Sequence, residues 1–170
     1  MASEIRLSVV IPAYNEEGRL PGTLDRIAAY LVRQTDLLPA ELVVVDDGSS
    51  DATARLAEEF GAPFGVSVRV VGLEHNRGKG AAVRAGLAAS RGARVLISDA
   101  DLATPIEELA ALRASGAALA VGSRGVRREL IVRRQPFARD SLGRLFNLGL
   151  RFLGLTTLHD TQCGFKLLEG

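Results

Sequence analysis

The chain alternates short apolar runs with longer amphipathic ones. Leu7-Ser-Val-Val-Ile-Pro-Ala13 is a compact run rich in β-branched residues, closed by the polar turn Tyr14-Asn15-Glu16-Glu17, and it reads as a buried strand. From Leu20 to Gln34 the apolar residues recur at helical spacing, with Leu20, Leu24, Ile27 and Leu31 on one face. A second strand, Glu41-Leu-Val-Val-Val45, runs into Asp46-Asp47-Gly48-Ser49-Ser50-Asp51. Asp51 is expected to cap a helix over Ala52–Phe60. Val66–Leu73 reads as a third strand, and Asn76-Arg77-Gly78-Lys79-Gly80 as a turn opening a helix over Ala81–Ser90. Ala93–Ser98 is a fourth strand ending at Asp99. Thr104 and Pro105 suit the N-cap and first position of another helix, and Ala117–Val121 reads as a fifth strand.

Strands that alternate with helices predict an α/β domain with a mostly parallel sheet flanked by helices. In such sheets ligands bind beyond the carboxyl ends of the strands. The polar signatures fall there: Asn15-Glu16 after the first strand, Asp46-Asp47 after the second, Asp99-Ala100-Asp101 after the fourth. Three separate segments thus assemble one acidic rim.

Length and composition narrow the class. With 170 residues, 47% of them hydrophobic and 24% charged, the chain suits one globular domain with a single core. The formal net charge of +1 carries no signal for nucleic acid. Charge is uneven, however: Arg124–Arg151 holds eight arginines against Glu129 and Asp140, a local net of +6. Cys163 is the sole cysteine, which excludes an intrachain disulfide and a C-x-x-C metal site and suits a reducing, cytoplasmic compartment. The first residues lack a signal-peptide pattern, and the sequence has no uninterrupted apolar run long enough for a membrane span.

Asp99 and Asp101, two residues apart at a strand end, can turn both carboxylates toward one ion. Hard oxygens in that arrangement suit Mg²⁺ or Mn²⁺, with water and phosphate oxygens completing the shell. The bland alternative is that both merely cap the element that follows. One of Asp46 and Asp47 can accept hydrogen bonds from a base or ribose while the other shapes an Asx-turn before Gly48; the sequence leaves the choice open. Gly78-Lys79-Gly80 at a helix start can admit a phosphate, with Lys79 as countercharge. His75 and His159 stand singly and receive no role.

Several enzyme classes lack their signatures. Pro12-Ala-Tyr-Asn15 stands where a dinucleotide-binding oxidoreductase needs G-x-G-x-x-G, and where a sugar nucleotidyltransferase needs a basic glycine-rich loop. A phosphohydrolase places its Asp-x-Asp after the first strand, whereas here it follows the fourth.

Val10-Ile-Pro-Ala-Tyr-Asn-Glu16, Val45-Asp-Asp-Gly-Ser49, Asn76-Arg-Gly-Lys-Gly80, Asp99-Ala-Asp101 and Gly122-Ser-Arg124 follow the order seen in family 2 glycosyltransferases, and the resemblance covers nearly the whole chain. Asp160-Thr-Gln-Cys-Gly-Phe-Lys166 is similar to the dolichyl- and polyprenyl-phosphate glucosyltransferase branch of that family. The resemblance implies a Rossmann-like GT-A fold in a single domain, with residues 1–123 as the nucleotide-binding part and 124–170 as the acceptor side. It implies an inverting transfer of a hexose, glucose first, from a nucleotide sugar to polyprenyl or dolichyl phosphate. UDP-glucose is the favoured donor and GDP-mannose the runner-up. Pro12, Tyr14, Glu16 and one of Asp46/Asp47 would hold the nucleoside. Lys79, Asp99 and Ala100 would also contact the nucleotide, and Asp99 with Asp101 would bind the diphosphate and Mg²⁺ or Mn²⁺. Arg124, Arg133 and Arg139 would face phosphate or acceptor, and Asp160 would orient or deprotonate the acceptor. Relatives continue beyond the equivalent of Gly170, so truncation at the C-terminus is expected, with a nucleotide-sugar-binding fragment or pseudoenzyme without turnover as the alternative reading. The arginines and the apolar residues of 137–153 suit a helix lying on the cytoplasmic face of a membrane as a peripheral contact.

Overall fold

The computed structural model describes residues 4–122 and 164–169. Five strands in a mostly parallel sheet were expected, and the structure has all five, the first four in parallel array: β1 (Leu7–Ala13), β2 (Ala40–Asp46), β3 (Val66–Gly72), β4 (Arg94–Ile97) and β5 (Leu119–Val121). The helices are α1 (Leu20–Arg33), α2 (Thr53–Glu58), α3 (Lys79–Ala89) and α4 (Leu109–Ala114). A last strand, β6 (Lys166–Glu169), completes a six-stranded sheet of order β3-β2-β1-β4-β6-β5. β1 pairs in parallel with β2 and β4, and β2 with β3; β6 runs antiparallel to both β4 and β5. The order reverses between β1 and β4, which makes the crevice at their carboxyl ends the natural ligand position.

The central runs Val9–Ala13 of β1 and Leu42–Val45 of β2 are apolar on both sides because both sheet faces are covered. On one face Val9, Ile11, Leu42, Val44 and Leu96 pack with Leu20, Leu24, Ile27 and Leu31 of α1, Ala57 of α2 and Leu109 of α4. On the other, Val10, Val43, Val45 and Val95 pack on Ala82 of α3. Each of the four α1 side chains is fully buried and contributes about 2 kcal/mol by leaving water.

Two details depart from the sequence reading. Pro105 has ψ 143° and lies outside the helix that Thr104 was expected to cap. A short 3₁₀ turn, Ile106–Glu108, comes first, and α4 follows. Thr104 caps nothing, because the chain turns only where Ile106 and Leu109 reach the core, both fully buried. Asp51 sits one residue too early to be the N-cap of α2, a position held by Ala52. Its Oδ1 still accepts the Thr53 N–H at 2.9 Å, so it orders the helix start from outside.

Candidate functional site

The loops after β1 and β2 are laced together at the carboxyl edge of the sheet. Asn15 N–H donates to Ser49 Oγ at 2.9 Å, and Asn15 Oδ1 accepts from Ser50 N–H at 2.9 Å. Glu17 N–H donates to Asp51 Oδ2 at 3.2 Å, and Glu17 Oε2 accepts from Ala52 N–H at 3.0 Å. Glu16 N–H donates to Thr53 Oγ1 at 2.8 Å. Burial pushes the Asp51 carboxyl up, but the hydrogen bonds from the Thr53 hydroxyl, the Thr53 N–H and the Glu17 N–H outweigh it and hold Asp51 below the ordinary aspartate range. Asn15 adopts φ 53°, a left-handed conformation that asparagine tolerates better than most residues. These reciprocal bonds explain why polar residues occupy positions 15, 17, 49 and 51, none of which was expected to bind the nucleotide.

The loop after β3 joins the same platform. Asp47, 3% exposed, accepts Arg77 N–H on Oδ1 and Gly78 N–H on Oδ2, both at 2.8 Å. Its own N–H donates to Ala13 O at 2.8 Å. Asp46, 7% exposed, accepts the N–H of Ser49, three residues on, at Oδ1 at 3.2 Å, which closes the loop without the expected two-residue Asx-turn. The structure therefore gives both aspartates a loop-shaping role, the larger one to Asp47. Gly48 has φ 72°, and a Cβ there would lie 2.6 Å from the His75 carbonyl carbon, so only glycine lets the second and third loops approach this closely.

Asp99 and Asp101 lie in a tight turn just past β4. Leu102 N–H donates to Asp99 O at 3.1 Å, and Ala103 N–H to Asp101 Oδ1 at 3.0 Å. Leu102 has φ 46° while its side chain is buried in the core. A left-handed leucine is strained, and core packing holds it there, a pattern that recurs at functional turns. The Thr23 hydroxyl of α1 donates to Ala100 O at 2.6 Å, fixing the turn from below. Across the crevice, Lys79 at the start of α3 forms an ion pair with Asp99 Oδ1. Among the described residues, the wholly buried Ser98 hydroxyl, next to Asp99, has no hydrogen-bond partner.

This donor set fits a small hard cation. The carboxylate of Asp99 already receives a cationic group, the Lys79 ammonium, and Asp101 is exposed beside it. Among the described residues no cluster of three or more acidic, histidine or cysteine side chains exists. Two carboxylates alone suit Mg²⁺ or Mn²⁺ bound jointly with phosphate oxygens better than a metal held entirely by protein.

The structure brings most of the expected residues to one rim. Tyr14 stands 47% exposed at the end of β1, beside half-buried Pro12 and Glu16. Glu16 Oε2 is paired with Arg19 Nε at 2.9 Å. Ala100 is packed into the core, so its side chain faces away from solvent. Arg124, Arg133, Arg139, Asp160 and the whole arginine-rich stretch lie outside the described residues. No described helix is long and apolar enough to cross a membrane.

The model of glycosyl transferase family 2 matches residues 8–169. Human dolichyl-phosphate beta-glucosyltransferase is 41% identical over 176 residues, 95% of this chain and 54% of that protein. The Saccharomyces cerevisiae protein of the same name is 35% identical, over 98% of this chain and 55% of its own. The chain thus spans about half the length of these curated relatives. Among solved structures, mannosyl-3-phosphoglycerate synthase from Rubrobacter xylanophilus matches with a TM-score of 0.66 at 25% identity, over 97% of this chain and 53% of that one. Glucosyl-3-phosphoglycerate synthase from Mycobacterium tuberculosis, solved with Mg²⁺ and uridine diphosphate, matches with a TM-score of 0.60 at 27% identity, over 96% and 56%.

Proposed function

The chain belongs to glycosyl transferase family 2, and from that premise we propose that it is an inverting glycosyltransferase domain carrying glucose from UDP-glucose to a polyprenyl or dolichyl phosphate. The observation that carries this reading is the strained Asp99–Leu102 turn at the topological switch point, facing Lys79 and the laced β1–β2 rim. The names of the relatives support the lipid-phosphate acceptor and the glucose. The uridine diphosphate and Mg²⁺ in a structural neighbour support the donor type and the ion.

Tyr14, exposed at the rim, offers a ring face to the base, and Pro12 and Glu16 bound the same edge. One of Asp46 and Asp47 accepts from the nucleoside while both keep their loops in place. Lys79, which pairs with Asp99, would serve as countercharge to the diphosphate. Asp99 and Asp101 would hold Mg²⁺ or Mn²⁺, which when bound neutralises the departing diphosphate as a Lewis acid. Inversion requires the acceptor oxygen to attack the anomeric carbon opposite that leaving group. A phosphate monoester is already anionic near neutral pH. Asp160 therefore serves mainly to orient the acceptor, with Arg124, Arg133 and Arg139 as its phosphate contacts; all four lie outside the described residues.

Incubation with radiolabelled UDP-glucose, dolichyl phosphate and Mn²⁺ tests the proposal. Label should enter the lipid phase and be lost in Asp101→Ala. A larger yield from GDP-mannose would reverse the donor choice. Nucleotide binding without any lipid product would reduce the chain to a nucleotide-sugar-binding module. We propose peripheral docking on the cytoplasmic face through the arginine-rich stretch 124–151. Co-sedimentation with anionic liposomes should then occur at low salt and weaken as salt screens the charges; its absence at low salt removes the docking role.

A further inference from the structure

The antiparallel ladder between β4 and β6 pairs Ile97 with Lys166. Continued by two residues, it sets Gly164 against Asp99. Gly164 is buried, and a Cβ built on it would lie 2.6 Å from Asp99 Cγ and closer still to both carboxylate oxygens. Real Cβ atoms do not approach so near. The φ of Gly164 is outside the left-handed region, so its backbone conformation is open to any residue. What demands glycine is the room taken by the Asp99 carboxylate. The strand beyond it is firmly seated: Phe165 is 1% exposed, and its carbonyl accepts Gly122 N–H at 2.9 Å.

We infer that Gly164 is a positioning residue: its bare backbone forms the wall against which Asp99 is oriented toward Lys79 and toward the ion and diphosphate of the donor. The inference rests on the donor-site reading given above. Phe165 anchors the backbone on one side, while the Asp99 carboxylate is the end of a short rotatable side chain, 22% exposed. A methyl group at position 164 is therefore relieved by rotation of Asp99, which carries the carboxylate away from Lys79. The segment containing Gly164 thereby couples the C-terminal end of the described chain to the donor site.

Gly164→Ala is the test, read by Mn²⁺ titration with UDP using electron paramagnetic resonance, and by crystallography. The variant should bind Mn²⁺–UDP about tenfold or more weakly, as expected when support for a ligating carboxylate is lost. Affinity for UDP without metal should stay constant, and the crystal should show Asp99 rotated off Lys79. In an Asp99→Ala background the same substitution should cost no further Mn²⁺ affinity, because it acts through Asp99. Wild-type Mn²⁺ affinity in Gly164→Ala, or an unmoved Asp99, overturns the inference. Wild-type protein whose UDP binding ignores Mn²⁺ overturns instead the donor-site reading, and the inference with it. If Gly164→Ala fails to fold, Asp99→Ala/Gly164→Ala must restore the fold; failure of that pair also overturns the inference.

Discussion

Glu41 and Asp99 are both acidic residues of the sheet, each paired with a basic side chain, and they stand at opposite edges of it, Glu41 at the amino end of β2 and Asp99 just past the carboxyl end of β4, with β1 between the two strands. At the amino end, Glu41 is 2% exposed. Its Oε1 accepts the Ser8 hydroxyl at 2.6 Å and Arg91 N–H at 2.7 Å, and its Oε2 accepts from Arg69 at 2.9 Å. Ser8 Oγ in turn accepts Gly92 N–H at 2.8 Å. Every carboxylate oxygen there has a protein partner, and the cluster is closed. At the carboxyl end, Asp99 is partly exposed beside a buried Ser98 hydroxyl that has no hydrogen-bond partner among the described residues, and the surrounding loops hold Asn15 and Leu102 at positive φ. A closed polar cluster gives its stabilisation to the fold, whereas strained, partly exposed acidic groups keep capacity for a ligand.

The largest effect expected from breaking this contrast is at the closed end. Glu41→Leu removes the acceptor of the buried Ser8 O–H and leaves Arg69 without its carboxylate, so unfolding free energy should drop by about 3 kcal/mol in urea titrations. UDP affinity of the surviving folded protein should not change. A loss of nucleotide binding at preserved stability would dissolve the distinction between the two ends.

Asp47→Ala should show an intermediate, mixed effect. It releases two backbone N–H groups that water can partly satisfy, for a cost of about 1–2 kcal/mol. Amide exchange should quicken at Arg77 and Gly78, and UDP affinity should fall as Lys79 loses its fixed platform. Unchanged protection at both amides would remove Asp47 as the loop anchor.

Asp101→Ala belongs wholly to the open end. Its one hydrogen bond is to an exposed turn amide, so the melting temperature should hold nearly constant. Calorimetry should show the Mn²⁺-dependent gain in UDP affinity cut by about tenfold, roughly 1.4 kcal/mol. Equal affinity with and without Mn²⁺ in the wild type would refute the ion bridge.

The smallest effect concerns acid. Asp51 titrates lower in the folded state than in the unfolded chain, where its pKa is about 3.9. Its stabilisation is complete above that value and is lost as pH falls through the lower folded value. The stability gap between wild type and Asp51→Asn should therefore be flat down to about pH 4 and then close. Asp36, held low by its hydrogen bond from Arg113, loses its contribution in the same direction in both proteins, so the difference isolates Asp51. A gap that widens in acid would contradict the hydrogen-bonded carboxylate.

Local pattern alone determined β1 to β4 within a residue or two, because short β-branched runs bounded by polar turns favour strands, and it determined the buried face of α1. It also put the acidic groups at strand ends, since parallel topology sends every βα loop to one edge. Tertiary structure decided the rest, and each case involves partners far apart in sequence. β6 inserts between β4 and β5 because Phe165 and Leu167 need the core, and four residues carry too little periodicity to announce a strand. Thr104 and Pro105 looked like a helix start, but the burial of Ile106 and Leu109 set where the chain turns. The sequence marked Asn15 only as part of the polar rim and Asp51 only as a helix cap, and the bonds that join them to Ser49, Ser50 and Glu17 exist only where the two loops meet. The pairing of Lys79 with Asp99, and the bare backbone of Gly164 against the same carboxylate, depend on contacts across 20 and 65 positions of sequence, which no local pattern of side chains encodes.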